Sequence, residues 1–266
     1  MNPPVSDFYD PANAARLCQA SAQAYAAAPA GADRVVECPA RQIRVVLFDD
    51  GPDLVLAFRG TAHLRNWLTD LDCQFVPSSY GRVHAGFAAA LSAVFAQLAE
   101  LIFDAHYAGK KIWLTGHSLG GALALLAARQ LIKPMAGCYT FGQPRVGDAD
   151  FCQSYDALLK SRTHRVVHDA DIVPRVPWLL GSYRHAGHEA FYPSPKITND
   201  RFPITHWKLD PSFWSRLPGD ACALFRSVVH GRLALLDDHH VNTYLALFNA
   251  RPQTQTQPEP ESAFSI

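Results

Sequence analysis

Lys111-Ile112-Trp113-Leu114-Thr115-Gly116-His117-Ser118-Leu119-Gly120-Gly121, continued by Ala122-Leu123-Ala124-Leu125-Leu126-Ala127-Ala128 and ending at Lys133-Pro134, decides the fold. Lys111 to Thr115 is short and apolar after a Gly109-Lys110 break, the pattern of a buried strand. Gly121 to Lys133 is almost wholly apolar and stops before Pro134, which predicts a buried helix. Between them Gly116, Ser118 and Gly120 form G-x-S-x-G. A serine at its centre projects from a sharp strand-to-helix turn. The flanking glycines let neighbouring backbones close in without a Cβ clash, and the helix start aims N–H groups at a developing oxyanion. The plain alternative is a glycine-rich turn with an incidental serine. The strand before it and the helix after it favour a nucleophile.

Outward from that turn, strands alternate with helices. Residues 11–28 are Ala-rich and predict an N-terminal helix. Ile43 to Phe48 and Leu54 to Phe58 read as strands, joined at the Asp50-Gly51-Pro52-Asp53 turn into a hairpin. From Gly86 to Ala108, Phe87, Leu91, Val94, Leu98 and Leu101 recur at helical spacing. Cys138–Phe141 and Arg165–Val167 predict two more buried strands. The alternation implies an α/β fold whose mostly parallel sheet is covered on both faces. Residues 1–250 are expected to form a single domain. Residues 251–266, polar and rich in Pro and Gln, are expected to be a disordered tail.

Composition narrows the function. The 266 residues carry 24 Lys+Arg against 24 Asp+Glu, with 48% hydrophobic and only 18% charged residues. A neutral chain lacks the basic face that nucleic acid requires. The longest nearly unbroken apolar run, Gly120 to Ala128, is far short of the about 20 residues that span a bilayer. No transmembrane segment is therefore expected. The start, Met1-Asn-Pro-Pro-Val-Ser-Asp7, has neither a basic nor an apolar signal region, so the expected location is cytoplasmic, with secretion as the alternative. Cys18, Cys38, Cys73, Cys138, Cys152 and Cys222 are scattered without a C-x-x-C pair. Reduced packing thiols are expected, with no metal and no cofactor.

A serine nucleophile needs a base, and the base needs an acid to orient it. In this kind of sheet the expected chain order is Ser, acid, His. The segment Arg165-Val-Val-His-Asp169-Ala-Asp171-Ile-Val-Pro174 offers Asp169 and Asp171, which local chemistry barely separates. For the base, Asp237-Asp238-His239-His240 leads into a helical pattern of Val241, Tyr244, Leu245 and Phe248. Spacing alone leaves His239 and His240 both open.

Several stretches together resemble the class 3 lipases, the filamentous-fungal type of α/β-hydrolase. They are Phe58-Arg-Gly-Thr61, Arg65-Asn-Trp-Leu-Thr-Asp-Leu71, Val83-His-Ala-Gly-Phe87, Thr115 to Gly121, Phe141-Gly-Gln-Pro-Arg-Val-Gly-Asp148, Asp171-Ile-Val-Pro174, Tyr183-Arg-His-Ala-Gly187 and Asp238-His-His-Val-Asn-Thr-Tyr244. They run in family order over residues 40 to 250. The resemblance implies an α/β-hydrolase fold with Ser118, Asp171 and His239 as triad, Tyr244 as the motif tyrosine and His240 as the alternative base. It implies oxyanion donors at Thr61 and at the backbone N–H of Leu119. It also makes residues 62–72 a short helical lid, on which Leu64, Trp67, Leu68 and Leu71 fall at i, i+3, i+4, i+7 as one apolar stripe. An ordinary amphipathic surface helix would carry the same stripe.

The implied activity is triacylglycerol lipase-type hydrolysis of acylglycerol esters, with transient contact at a lipid surface and a monomeric enzyme. Phospholipase A1 and feruloyl or aryl esterase chemistry use the same triad, and a non-catalytic lipase-like binding module is the remote alternative. Feruloyl esterases of this fold carry a polar segment at the lid position, so Trp67 and its leucines favour lipid. His117 is expected to pack or face the pocket rim, and His84 and His185 to anchor loops. Gln143, Pro144 and Arg145 are expected to shape the loop beside the site. Residues 196–236, with Trp207 and Trp214, contain no motif that defines an acyl pocket.

Overall fold

The computed structural model describes residues 9–60, 74–133, 135–168, 171–177, 182–193 and 239–249. In chain order the elements are α1 (Pro11–Gln23), β1 (Arg34–Cys38), β2 (Ile43–Asp50), β3 (Asp53–Phe58), β4 (Phe75–Ser78), β5 (Gly81–His84) and α2 (Ala85–Ile102). Then come β6 (Lys111–His117), α3 (Leu119–Gln130), β7 (Met135–Phe141), α4 (Ala149–Leu159), β8 (Thr163–His168), β9 (His188–Tyr192) and α5 (Val241–Asn249).

One sheet takes the order β1-β2-β3-β6-β7-β8-β9, and β4 with β5 forms a separate antiparallel ribbon. The strands β3, β6, β7, β8 and β9 run parallel, while β1 and β2 add an antiparallel edge. Every residue of β3, β7 and β8 is buried. Continuous burial is what a sheet covered on both faces gives, although β8 also buries Thr163, His164, Arg165 and His168. Alternation then divides the side chains between two cores. Leu54, Leu56, Phe58 and Leu114 pack with α2 and α3 on one face. Val55, Trp113, Tyr139, Phe141 and Val166 pack on the other with Leu17 of α1 and Tyr244 of α5.

The predicted hairpin, central strand and following helix all form, with boundaries moved by a few residues. The second predicted helix is shorter than 86–108. α2 ends at Ile102, and a separate 3-10 turn, Ala105–Tyr107, precedes Gly109. By length and composition alone α2 is long and apolar enough to cross a membrane, although Ser92, Gln97 and Glu100 interrupt its apolar run. Its stripe of Phe87, Leu91, Val94, Leu98 and Ile102 is instead buried in the core. The elements β1, β4, β5, β9 and α4 escape sequence reading. Residues 62–72, 196–236 and 251–266, including the expected lid and tail, lie outside the described residues.

Candidate active site

The carboxyl ends of β6 and β8 bring the candidate residues together, where an open α/β sheet binds its ligands. Ser118 follows β6 and stands at φ 59° and ψ −130°, immediately before α3. A non-glycine residue holds such a conformation only if its surroundings over-determine it. Here the Ser118 N–H donates to the Phe141 carbonyl at 2.9 Å, and the Ser118 carbonyl accepts from the Gly121 N–H at 2.9 Å. The close approach needs glycine. A Cβ on Gly120 would lie 2.0 Å from the Phe58 carbonyl oxygen, and one on Gly116 would lie 2.3 Å from the Gly120 carbonyl carbon. Packed this way, the start of α3 lies against the end of β3, three residues before Thr61. Leu119 is the first residue of α3 and is buried. Ser118 Oγ is buried and has no hydrogen-bond partner among the described residues.

Asp171 lies just beyond β8 and is 0% exposed. Its Oδ2 accepts from His239 Nδ1 at 2.7 Å and from the Tyr244 hydroxyl at 2.5 Å, and its Oδ1 accepts from the Val173 N–H at 2.8 Å. Three donors on one carboxylate suit a buried charge. With Nδ1–H committed to Asp171, His239 Nε2 is left as the acceptor nitrogen, buried and without a partner among the described residues. His240, the alternative, is exposed. The structure thus joins His239, not His240, to Asp171. Asp169 lies outside the described residues, as do Thr61, Leu64, Trp67, Leu68 and Leu71.

Gly142, at φ +59°, was not singled out by sequence reading. A Cβ there would lie 2.7 Å from both Asp171 Oδ2 and His239 Cε1. The acid–imidazole pair is therefore seated directly on the backbone that leaves β7. The signal available in the sequence was a lone glycine after a strand, read only as part of a loop-shaping motif. Arg145 extends that loop to the acid: its N–H donates to the Val176 carbonyl at 2.8 Å and its Nη1 to the Pro177 carbonyl at 3.0 Å.

His84 and His185 are anchors, as expected. His84 Nδ1 accepts from the Gly86 and Phe87 N–H groups at the start of α2, and His185 Nε2 donates to the Pro174 carbonyl at 2.7 Å. His117 is bonded at both ring nitrogens. Of the two expected placements, packing or facing the rim, it packs: the ring is buried, bonded through Nδ1 to the Tyr25 hydroxyl at 3.0 Å and through Nε2 to the His239 carbonyl at 2.5 Å. Burial, and then the nearby His239, hold its pKa well below 6.5. Tyr25 is a further residue that sequence reading missed. Burial raises its phenol pKa above the usual range.

Residues 55–180 match the family model described as Lipase (class 3). The lipase of Rhizomucor miehei is 38% identical over 155 residues, covering 53% of this chain and 42% of the relative. The secreted mono- and diacylglycerol lipase 1 of Fusarium solani is 34% identical over 157 residues, covering 56% of this chain and 46% of the relative. Among solved structures, the triacylglyceride lipase of Rhizomucor miehei superposes with a TM-score of 0.61 at 27% identity, over 68% of this chain and 79% of that one. The chain spans less than half the length of these curated relatives.

Proposed function

From the match of residues 55–180 to the class 3 lipase model we propose that the chain is a serine carboxylester hydrolase of that family, acting on acylglycerols. The observation that carries the proposal is the hydrogen bond of 2.7 Å between Asp171 and His239, whose free Nε2 accompanies a serine at a strained turn. In the proposed reaction His239 Nε2 takes the Ser118 proton as Oγ attacks the ester carbonyl. The tetrahedral oxyanion is held by the N–H of Leu119 and by Thr61. Collapse expels the alcohol, protonated by His239, and leaves an acyl-serine. Water, deprotonated by His239, then releases the carboxylic acid and restores Ser118.

The substrate class rests on the apolar stripe Leu64, Trp67, Leu68 and Leu71, proposed as a lid that opens at a lipid surface. The names of the relatives, which specify triacylglycerides and mono- and diacylglycerols, support it. Residues 1–250 are proposed as the catalytic domain, with 251–266 as its tail. The Fusarium relative is named as secreted, so export is proposed in place of the cytoplasmic location expected from the sequence. Assaying culture medium and cell extract separately tests it.

The purified protein should hydrolyse p-nitrophenyl esters and emulsified triolein. Ser118→Ala should retain only residual activity. Wild-type turnover in that variant would end the proposal. Thr61→Ala should lower kcat by about 10²–10³, the effect of losing one oxyanion donor. Faster hydrolysis of phosphatidylcholine or methyl ferulate than of triolein would redirect the substrate while leaving the triad in place.

A further inference from the structure

Tyr25 follows α1, and its hydroxyl lies 3.0 Å from His117 Nδ1. The Gly60 N–H bonds the same phenol oxygen. On the other side of the ring, His117 Nε2 lies 2.5 Å from the His239 carbonyl oxygen. A carbonyl only accepts, so Nε2 carries the hydrogen and Nδ1 accepts the Tyr25 proton. The His117 and His239 rings are 4.4 Å apart at 33°.

We propose that His117 is a positioning residue: its Nε2–H holds the main chain of His239, and Tyr25 fixes the tautomer that makes this possible. The inference rests on His239 being the base of the proposed reaction. The bond to Asp171 restrains His239 at Nδ1 alone, and a ring held at one atom can still pivot. A second restraint at the His239 carbonyl fixes the Cα from which the ring projects. His117 directly precedes Ser118, so base and nucleophile are referenced to the same turn of chain. Through Gly60 the brace also reaches the backbone one residue before Thr61. A protonated His117 would lose its acceptor for Tyr25 and repel the imidazolium that His239 becomes during turnover. Its burial keeps the ring neutral.

The test compares His117→Phe, which keeps the ring and loses the donor, with His117→Gln, whose side-chain amide can still donate. His117→Phe should lower kcat about 10–100-fold, as small misplacements of a reacting group do, with KM and thermal midpoint held. His117→Gln should recover much of the loss. Tyr25→Phe should give a smaller loss, and adding it to His117→Phe should cost nothing more, because both act along one chain of bonds. If His117→Phe lowers the thermal midpoint, the peripheral Tyr25→Phe carries the kinetic comparison.

A second readout needs no turnover. The low-field Nδ1–H resonance of His239 should be sharp in the wild type and in His117→Gln, and broadened in His117→Phe. Wild-type kcat and resonance in His117→Phe would overturn the proposal, as would a His117→Gln no better than His117→Phe. A wild type without esterase activity, but with the resonance still broadened in His117→Phe, would remove the hydrolase reading and leave the brace standing.

Discussion

Asp171 is fully buried, so the donors around its carboxylate matter individually. Tyr244 supplies one of three. Tyr244→Phe should destabilise the fold by about 1.5–3 kcal/mol, the range for a hydrogen bond to a charged group, measured from urea unfolding curves. Gly142 fails differently. Its φ of +59° strains any other residue, and the new Cβ would push against both members of the Asp171–His239 pair. Gly142→Ala should therefore cut kcat about 100-fold, the scale of a 1 Å misplacement at a reacting centre. Steady-state kinetics beside a thermal melt checks this, and a variant that melts normally and turns over normally contradicts it. Ser118 announces itself through its local motif, and Asp171 through the family resemblance of Asp171-Ile-Val-Pro174. Gly142 and Tyr25 do not, because the atoms they meet belong to residues far along the chain.

Among the elements, α2 shows how one side chain can set a boundary. His84 stands at its N-cap, and Nδ1 accepts from two N–H groups that have no partner within the helix. His84→Ala should cost about 1 kcal/mol of stability for the lost cap alone, again read from urea midpoints. His84→Asn should recover part of it. The same logic applies to α4, where Asp148 accepts from the Phe151 N–H and also receives Arg82. That helix was missed in the sequence because its apolar positions, Phe151, Cys152, Tyr155 and Leu159, form a thin stripe among polar residues. The strands β4, β5 and β9 were missed because strands of four or five residues offer too few positions for a period of two to register.

For the whole molecule, buried neutral histidines set the response to acid. Burial, reinforced by His188, lowers the pKa of His164 from 6.5 to about 4. Burial, reinforced by Arg165, lowers that of His185 to about 3. His117 is depressed in the same way. In each case the unfolded chain takes up a proton near pH 6.5 while the folded chain does not. The stabilisation is complete above pH 6.5 and is lost progressively as pH falls towards 4 and then 3. The thermal midpoint should therefore decline steeply across that window, and His164→Gln should flatten the upper part of the decline. An unchanged slope in that variant would locate the acid sensitivity elsewhere.

The sequence by itself determined the buried parallel strands and the nucleophile turn, because each is written in consecutive residues whose local chemistry admits few alternatives; between Asp169 and Asp171 it needed the family resemblance to choose. It also supplied an apolar surplus in a chain of low charge, which the two faces of the sheet absorb. Tertiary structure joined His239 rather than His240 to Asp171, as the resemblance implied, and it alone decided that Gly142 must stay without a side chain and that His117 is bonded to Tyr25 and the His239 main chain. Those outcomes depend on distances between residues 29 to 122 positions apart in the chain. Composition and periodicity do not encode such distances; the packing of helices against the sheet does.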